Sequence, residues 1–197
     1  DVRDYSNVQN FVRGLYNHTF DNGSTLTAGA DFMHDYLMNN YLEMGDKSQN
    51  SVDAFVQYDW IVSDAWEFVG AMRYDYFSDS DDSQITPKFT ARYKPLYNLN
   101  VRLGYGMGFR APALKEKYYD FDMVGIWIIK GNPNLKAETS HNFNISADYT
   151  KSRYNFTFSS YYNDVRNKLT TGIPHYLPGD NKQLYLDYVN LDNYSVW

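Results

Sequence analysis

Along most of this chain apolar residues return at every second position, the period of a β-strand, and a helical period is nowhere sustained. Leu26, Ala28, Ala30 and Phe32 oppose Thr25, Thr27 and Asp31. Val52, Ala54, Val56, Tyr58 and Trp60 oppose Asp53, Gln57 and Asp59, and Phe68, Met72, Tyr74 and Tyr76 oppose Glu67, Arg73 and Asp75. Phe89, Ala91 and Tyr93 oppose Lys88, Thr90 and Arg92, and Tyr154, Phe156 and Phe158 oppose Asn155, Thr157 and Ser159. Alternating runs also cover 99–107 and 141–149, and less regular ones 6–20 and 183–191. The pattern predicts an all-β fold, an antiparallel up-and-down meander of about nine strands.

The connections between these runs alternate in length. Short turns are expected near 21–24, 62–65, 95–98 and 150–153, and mostly longer, polar connections near 37–50, 78–84, 109–140 and 164–183. Short turns at one end and long loops at the other is the asymmetry of outer-membrane barrels, with the long loops outside the cell. Trp60 and Trp66 flank a short turn, where an aromatic girdle would lie. A soluble β-sandwich is the competing architecture. Strands of about 9–11 residues suit a tilted bilayer crossing and favour the barrel.

Composition agrees with strands that are apolar on one face and polar on the other. Of 197 residues 18% are aromatic, with 20 Tyr and 12 Phe, yet mean hydropathy is negative. No run approaches the ~18 apolar residues of a membrane helix, and a strand barrel shows none. With no Cys, disulfides and thiolate metal sites are excluded. A net charge of −6 without a basic cluster argues against nucleic acid. There is no G-x-S-x-G, H-E-x-x-H or P-loop, and no nucleophile–base pair can be placed, so no enzyme is expected. Asp1 is preceded by no Met, basic n-region or apolar h-region, and Asn193–Trp197 stops inside a strand-like pattern. A partial chain, cut at both ends, is expected.

Two motifs face each other across the longest connection: Gly108-Phe109-Arg110-Ala111-Pro112 and Gly131-Asn132-Pro133-Asn134-Leu135-Lys136-Ala137-Glu138-Thr139-Ser140. The pair resembles the signature of TonB-dependent outer-membrane receptors, and its FRAP and NPNL form is similar to that of haem and haemoglobin receptors. Arg73-Tyr74-Asp75 and Thr86-Pro87-Lys88-Phe89 fit the family's later barrel strands, so the resemblance covers most of 51–193. It implies that residues 1–197 are part of a large transmembrane β-barrel of about 22 strands, with the plug domain and the remaining strands absent. It implies residence in the outer membrane of a Gram-negative bacterium, contact with its lipid, and a TonB-type energy-coupling protein acting through the N-terminal plug. No cofactor is held tightly; haem would be cargo, and a haemoprotein or haem carrier a partner. The alternatives are a ferric siderophore or another bulky ligand such as cobalamin and, from a different class, a structural or adhesive β-protein.

Within that resemblance, Phe109, Arg110, Ala111, Pro112, Asn132, Pro133, Asn134, Leu135 and Glu138 are expected to brace the loop as it leaves the bilayer zone. Bracing is preferred to direct ligand contact, although Arg110 is also a candidate contact. Arg110 and Glu138 stand at the two feet of the loop, where an ion pair could form. Asn132 and Asn134 suit turn capping. Haem iron needs an axial His or Tyr. Loop 113–130 has no His but carries Tyr118, Tyr119, Phe121 and Trp127 for a porphyrin face, with Lys115, Lys117 and Lys130 for propionates. His175, in the outward 164–183 loop, is the first candidate iron ligand and His34 the second. His141 belongs with the interfacial girdle and His18 at the opposite end. The apolar Ile126–Ile129 run would fold onto the barrel mouth or meet a protein partner. Asp79, Asp81 and Asp82 lack the EF-hand pattern and are expected in a solvated loop.

Overall fold

The structure, a computed structural model, describes residues 5–39, 45–118, 120–122, 126–177 and 183–197. Nine long strands dominate it: β1 (Tyr5–Thr19), β2 (Thr25–Asn39), β3 (Lys47–Ile61), β4 (Trp66–Phe77), β5 (Asp82–Leu96), β6 (Leu99–Arg110), β9 (Glu138–Lys151), β10 (Tyr154–Thr171) and β12 (Leu184–Val196). Between β6 and β9 lie one helical turn, α1 (Leu114–Tyr118), and the short strands β7 (Phe121–Asp122) and β8 (Trp127–Lys130); β11 (His175–Tyr176) precedes β12. The long strands pair antiparallel in the order β1-β2-β3-β4-β5-β6-β9-β10-β12. This is the expected meander.

Register keeps the two faces apart across the whole sheet. Phe32, Val52 and Tyr76 are successive cross-strand partners, as are Phe89, Tyr105, Phe143 and Tyr162. A slip of one residue anywhere would send these rows to the other face. The apolar face is the open one: Val12 is 68% and Phe156 64% exposed, whereas Asp31 on the polar face is 4% exposed. A soluble sandwich does the reverse, burying its apolar faces against each other. Among the described residues no second layer covers these rows. That distribution is what a wall between lipid and a polar lumen requires.

The polar face is laced with ion pairs, all but the Arg73–Asp75 pair within β4 joining neighbouring strands. Arg13 meets Asp31 at 2.6 Å, and Arg73 meets Asp53 at 3.1 Å and Asp75 at 2.8 Å. Arg92 meets Glu67 at 2.5 Å and Arg102 meets Asp148 at 2.9 Å. At the short-turn end of the apolar face Trp66 stacks on Tyr93 at 4.2 Å and on Phe68 at 5.6 Å. Toward the other end the Tyr105 hydroxyl meets His141 Nδ1 at 3.0 Å.

At the end away from the short turns the strands run further than the sequence pattern suggests. The connection expected at 37–50 shrinks to 40–46, that at 78–84 to 78–81, and that at 164–183 to 172–183. The reason is physical. Strand ends that leave the bilayer are wet on both faces, so Ser48, Asp82, Ser83, Arg166 and Lys168 lose the alternation that marks a strand. The acidic stretch is therefore a tight turn, with Asp81 at φ 51°, a backbone region that Asp tolerates better than most residues.

The ladder between β5 and β6 stops early. It reaches only Lys88–Gly106, whereas the ladder between β4 and β5 continues to Phe77–Asp82. The next residue of β5 is Pro87, which has no N–H to give and belongs where pairing ends. Beyond it β5 and β6 part, and loop residues enter the gap.

Candidate functional site

The long connection, residues 111–137, leaves β6 at Arg110 and returns at Glu138, which are cross-strand partners. The ion pair that could join them does not form. Arg110 Nη2 donates to Glu116 Oε1 at 2.5 Å, and Glu138 Oε2 accepts from the Leu169 backbone N–H at 2.9 Å. The chain doubles back at buried Pro112 and starts α1, which carries Glu116 onto Arg110. Glu116 Oε2 also accepts from the Ala113 backbone N–H at 2.9 Å. This is the reciprocal half of a capping box, with the acid three residues after the cap. Glu116 belongs to neither loop motif; in the sequence only the Ala113-x-x-Glu116 spacing signals its role.

α1 lies over the polar face of β2, β3 and the β4–β5 turn. Leu114 is buried against Leu37 of β2, with Tyr118 packed beside them. Lys117 Nζ meets Asp79 Oδ2 at 2.5 Å, and the Lys117 side chain is only 5% exposed. The Tyr118 hydroxyl donates to Asp79 at 3.1 Å and 3.3 Å from its two oxygens, and Lys47 Nζ sits 4.8 Å from the centre of the tyrosine ring. Burial first, and the charge of Asp79 second, hold the Tyr118 pKa above the ordinary tyrosine range. Its hydroxyl is therefore a neutral donor directed at Asp79.

The returning limb closes onto α1 from the other side. A β-carbon on Gly131 would lie 2.8 Å from the backbone of Lys117 and Tyr118, so this approach requires glycine. The Asn132 N–H donates to the Glu116 carbonyl at 2.9 Å. Asn132 Oδ1 accepts from the Asn134 N–H at 3.0 Å, and Asn132 Nδ2 donates to the Tyr188 carbonyl at 2.9 Å. The Leu135 N–H reaches back to the Asn132 carbonyl at 3.3 Å, a four-residue turn with Pro133 where proline suits it. Leu135 is buried. Asn190 of β12 clasps Lys136: its Oδ1 accepts from the Lys136 N–H at 2.8 Å, and its Nδ2 donates to the Lys136 carbonyl at 2.9 Å. The apolar 126–129 run becomes β8, which pairs in parallel with β12 from Trp127–Leu184 to Lys130–Asp187. One loop thus links β2, β3 and the β4–β5 turn to β12 across the intervening strands.

The remaining candidate residues are scattered. His175 lies in β11, with Nε2 3.5 Å from Asp187 Oδ2, Nδ1 3.4 Å from the Ile173 carbonyl and its ring 6.5 Å from that of Tyr185. His34 is on the apolar face of β2, its Nδ1 2.7 Å from Asn50 Oδ1, and is not brought together with His175. Phe109 packs 5.9 Å from Phe77. Lys130 Nζ is 5.5 Å from the Tyr185 ring, and Lys115 is exposed. Tyr119 lies outside the described residues. Among the described residues no three His, Asp or Glu converge as a metal site.

Residues 1–195 match the family model described as TonB dependent receptor-like, beta-barrel. The chain is 26% identical over 155 residues to the vitamin B12 transporter BtuB of Photobacterium profundum, covering 78% of this chain and 24% of that protein. Among solved structures, the siderophore receptor PirA from Pseudomonas aeruginosa superposes with a TM-score of 0.88 at 17% identity, over 98% of this chain and 38% of that one. The Serratia marcescens hemophore receptor HasR, solved as a double mutant with its hemophore HasA and heme, gives a TM-score of 0.73 at 13% identity, over 97% and 38%. The chain spans about a quarter of the curated relative's length. The three names differ in ligand, so they do not support the haem-specific reading of the FRAP and NPNL pair. The chain belongs to the TonB-dependent receptors, a family of receptors rather than enzymes, and forms part of their β-barrel in the Gram-negative outer membrane.

Proposed function

We propose that this chain is the wall and outward mouth of a longer receptor that takes a bulky ligand across the outer membrane, driven by a TonB-type protein acting on a plug elsewhere in the polypeptide. One observation carries the reading. The 111–137 loop is folded onto the polar face, the lumen side of such a barrel, and is pinned there by buried Lys117–Asp79 and half-buried Arg110–Glu116 contacts. A loop anchored over the entrance is a built surface for a ligand to meet. In this reading Phe109, Arg110, Ala111, Pro112, Asn132, Pro133, Asn134, Leu135 and Glu138 brace the loop, and the ligand meets what they hold up.

Haem, free or delivered by a haemoprotein, is the preferred cargo. His175 is its ligand candidate: the imidazole is partly exposed, and Nε2, 3.5 Å from Asp187 Oδ2, would have to turn from that carboxylate to reach iron. The likeness to a hemophore receptor is consistent with it. Tyr118 is a weaker ligand candidate, because its hydroxyl is already directed at Asp79. A second reading, a ferric siderophore or cobalamin, is favoured by the likenesses to PirA and BtuB.

Titrating the intact, detergent-purified receptor with haemin separates these readings. A Soret shift that is lost in His175→Ala supports haem. Binding of a ferric siderophore or cobalamin without a haemin response moves the assignment to the second reading. Failure to bind any of these removes the haem, siderophore and cobalamin readings.

A further inference from the structure

The short-turn end of the sheet is divided by charge. The β1–β2 turn holds Asp21 and the β3–β4 turn Asp64, whereas the end of β5 and the β9–β10 hairpin hold Lys94, Lys151 and Arg153, all three exposed. The two basic segments lie side by side, since β6 pairs with both β5 and β9 and the Thr150 N–H donates to the Asn98 carbonyl at 2.9 Å. Lys94 stands where β5 bulges between Tyr93 and Leu96. Among the described residues none of the three side chains has an ion-pair or hydrogen-bond partner. Acids on the neighbouring strands are engaged elsewhere, Glu67 with Arg92 and Asp148 with Arg102. Three positive charges therefore stand uncompensated on one part of this rim.

An apolar row runs beside them. Leu96, Leu99, Tyr149 and Phe156 are successive cross-strand partners, and Leu96 and Phe156 are exposed. Lys151 is two residues beyond Tyr149 and pairs with Tyr154, so it shares their face, one step nearer the turn. Cations and hydrocarbon thus follow each other along the strand axis. A soluble anion would meet the cations and leave the row unused. A zwitterionic lipid would cover the row and leave the charges without net compensation. An anionic phospholipid answers both: its phosphate lies among Lys94, Lys151 and Arg153, its acyl chains lie along Leu96, Tyr149 and Phe156, and the tyrosine rings sit at the interface that such rings favour. The short-turn end is the periplasmic one, where the leaflet consists of phospholipid. We infer that this patch binds an anionic phospholipid of the inner leaflet, with a phosphatidylglycerol-like headgroup held by Lys94, Lys151 and Arg153. The site lies at the opposite end of the wall from the outward loops and stands whichever cargo the receptor takes.

Native mass spectrometry of the intact, detergent-purified receptor tests it, with phosphatidylglycerol and phosphatidylethanolamine of identical acyl chains offered in equal amounts. A cation beside an anionic lipid surface contributes about fivefold in affinity, so the parent should retain phosphatidylglycerol at least about tenfold over phosphatidylethanolamine. Lys94→Gln, Lys151→Gln and Arg153→Gln combined should bring that ratio to about one, since no charge preference is left. Lys94→Arg with Lys151→Arg should preserve the ratio, and Arg166→Gln, at the outward end, should leave it unchanged. Folding of each variant is read independently from heat-modifiable gel mobility. Glycerol 3-phosphate and a cell-wall muropeptide, both soluble anions, are the competing occupants: retention of either without a preference between the two lipids overturns the inference. An equal ratio in the parent, or an unchanged ratio in the folded triple variant, overturns it as well. Haemin or siderophore binding measured on the same samples should be the same in the parent and the triple variant, which separates this site from the receptor reading.

Discussion

Removing Asp79 is the sharpest test of how the mouth is held. Asp79→Ala takes away the partner of Lys117, whose side chain is only 5% exposed, and the acceptor of the Tyr118 hydroxyl. Breaking a buried pair from one side costs about 3–5 kcal/mol, because a charge is left without compensation. The orphaned hydroxyl adds about 1–3 kcal/mol. The loop can escape the full cost by lifting α1 and rehydrating Lys117, so the measurable effect is a loss of about 3 kcal/mol in docking, near a hundredfold in opening equilibrium. Hydrogen exchange on the intact receptor reads this directly. Peptides covering α1 should exchange about a hundredfold faster, while β6 peptides up to Gly106, held by ladders on both sides, serve as the internal reference. Lys117→Met combined with Asp79→Leu should restore protection to within about 1 kcal/mol of the parent, since replacing both members of a buried pair by apolar groups is often neutral. Unchanged exchange in Asp79→Ala, or a double variant as loose as the single one, refutes the reasoning.

Other expectations follow from the same contacts. Gly131→Ala places a methyl 2.8 Å from the α1 backbone and should loosen the loop by about 1–3 kcal/mol, seen as faster exchange in α1 without change in β6. Asn190→Ala removes both bonds to Lys136 and one to the Asn167 carbonyl at 2.8 Å; it should free the Asn132–Leu135 turn by about 1–3 kcal/mol, read as lost protection at the Lys136 amide. The Tyr118 pKa is raised in the folded protein. Docking is therefore fully present below the ordinary tyrosine pKa of about 10 and weakens as pH rises past it, because the undocked phenol ionises first; exchange rates corrected for intrinsic pH dependence should show this, and Tyr118→Phe should remove it. On the apolar face Met72→Arg should destabilise folding into lipid vesicles by about 2–4 kcal/mol, whereas Gln57→Arg on the polar face should be tolerated, as read by urea titration of tryptophan fluorescence.

The meander was legible in the sequence because a membrane strand obeys one local rule: alternate residues meet lipid and water, so Val52, Ala54, Val56, Tyr58 and Trp60 announce their face without knowledge of any neighbour. Strand ends were misread at Ser48, Asp82 and Arg166, where both faces are wet and the rule lapses. The two loop motifs were likewise visible, and the turn at Asn132–Leu135 follows from its residue types. What the sequence could not supply was the partner of each charge. Arg110 and Glu138 face each other across the ladder, yet Arg110 bonds Glu116 and Glu138 caps the Leu169 amide; Asp79, in a stretch that read as solvated, receives Lys117 from 38 residues away. Alternation is a property of each residue and its two surroundings, so the chain alone determined the wall. The fold of the loop over the mouth depends on pairs distant in sequence that meet only once the sheet has set its register, and that part was decided by the tertiary structure.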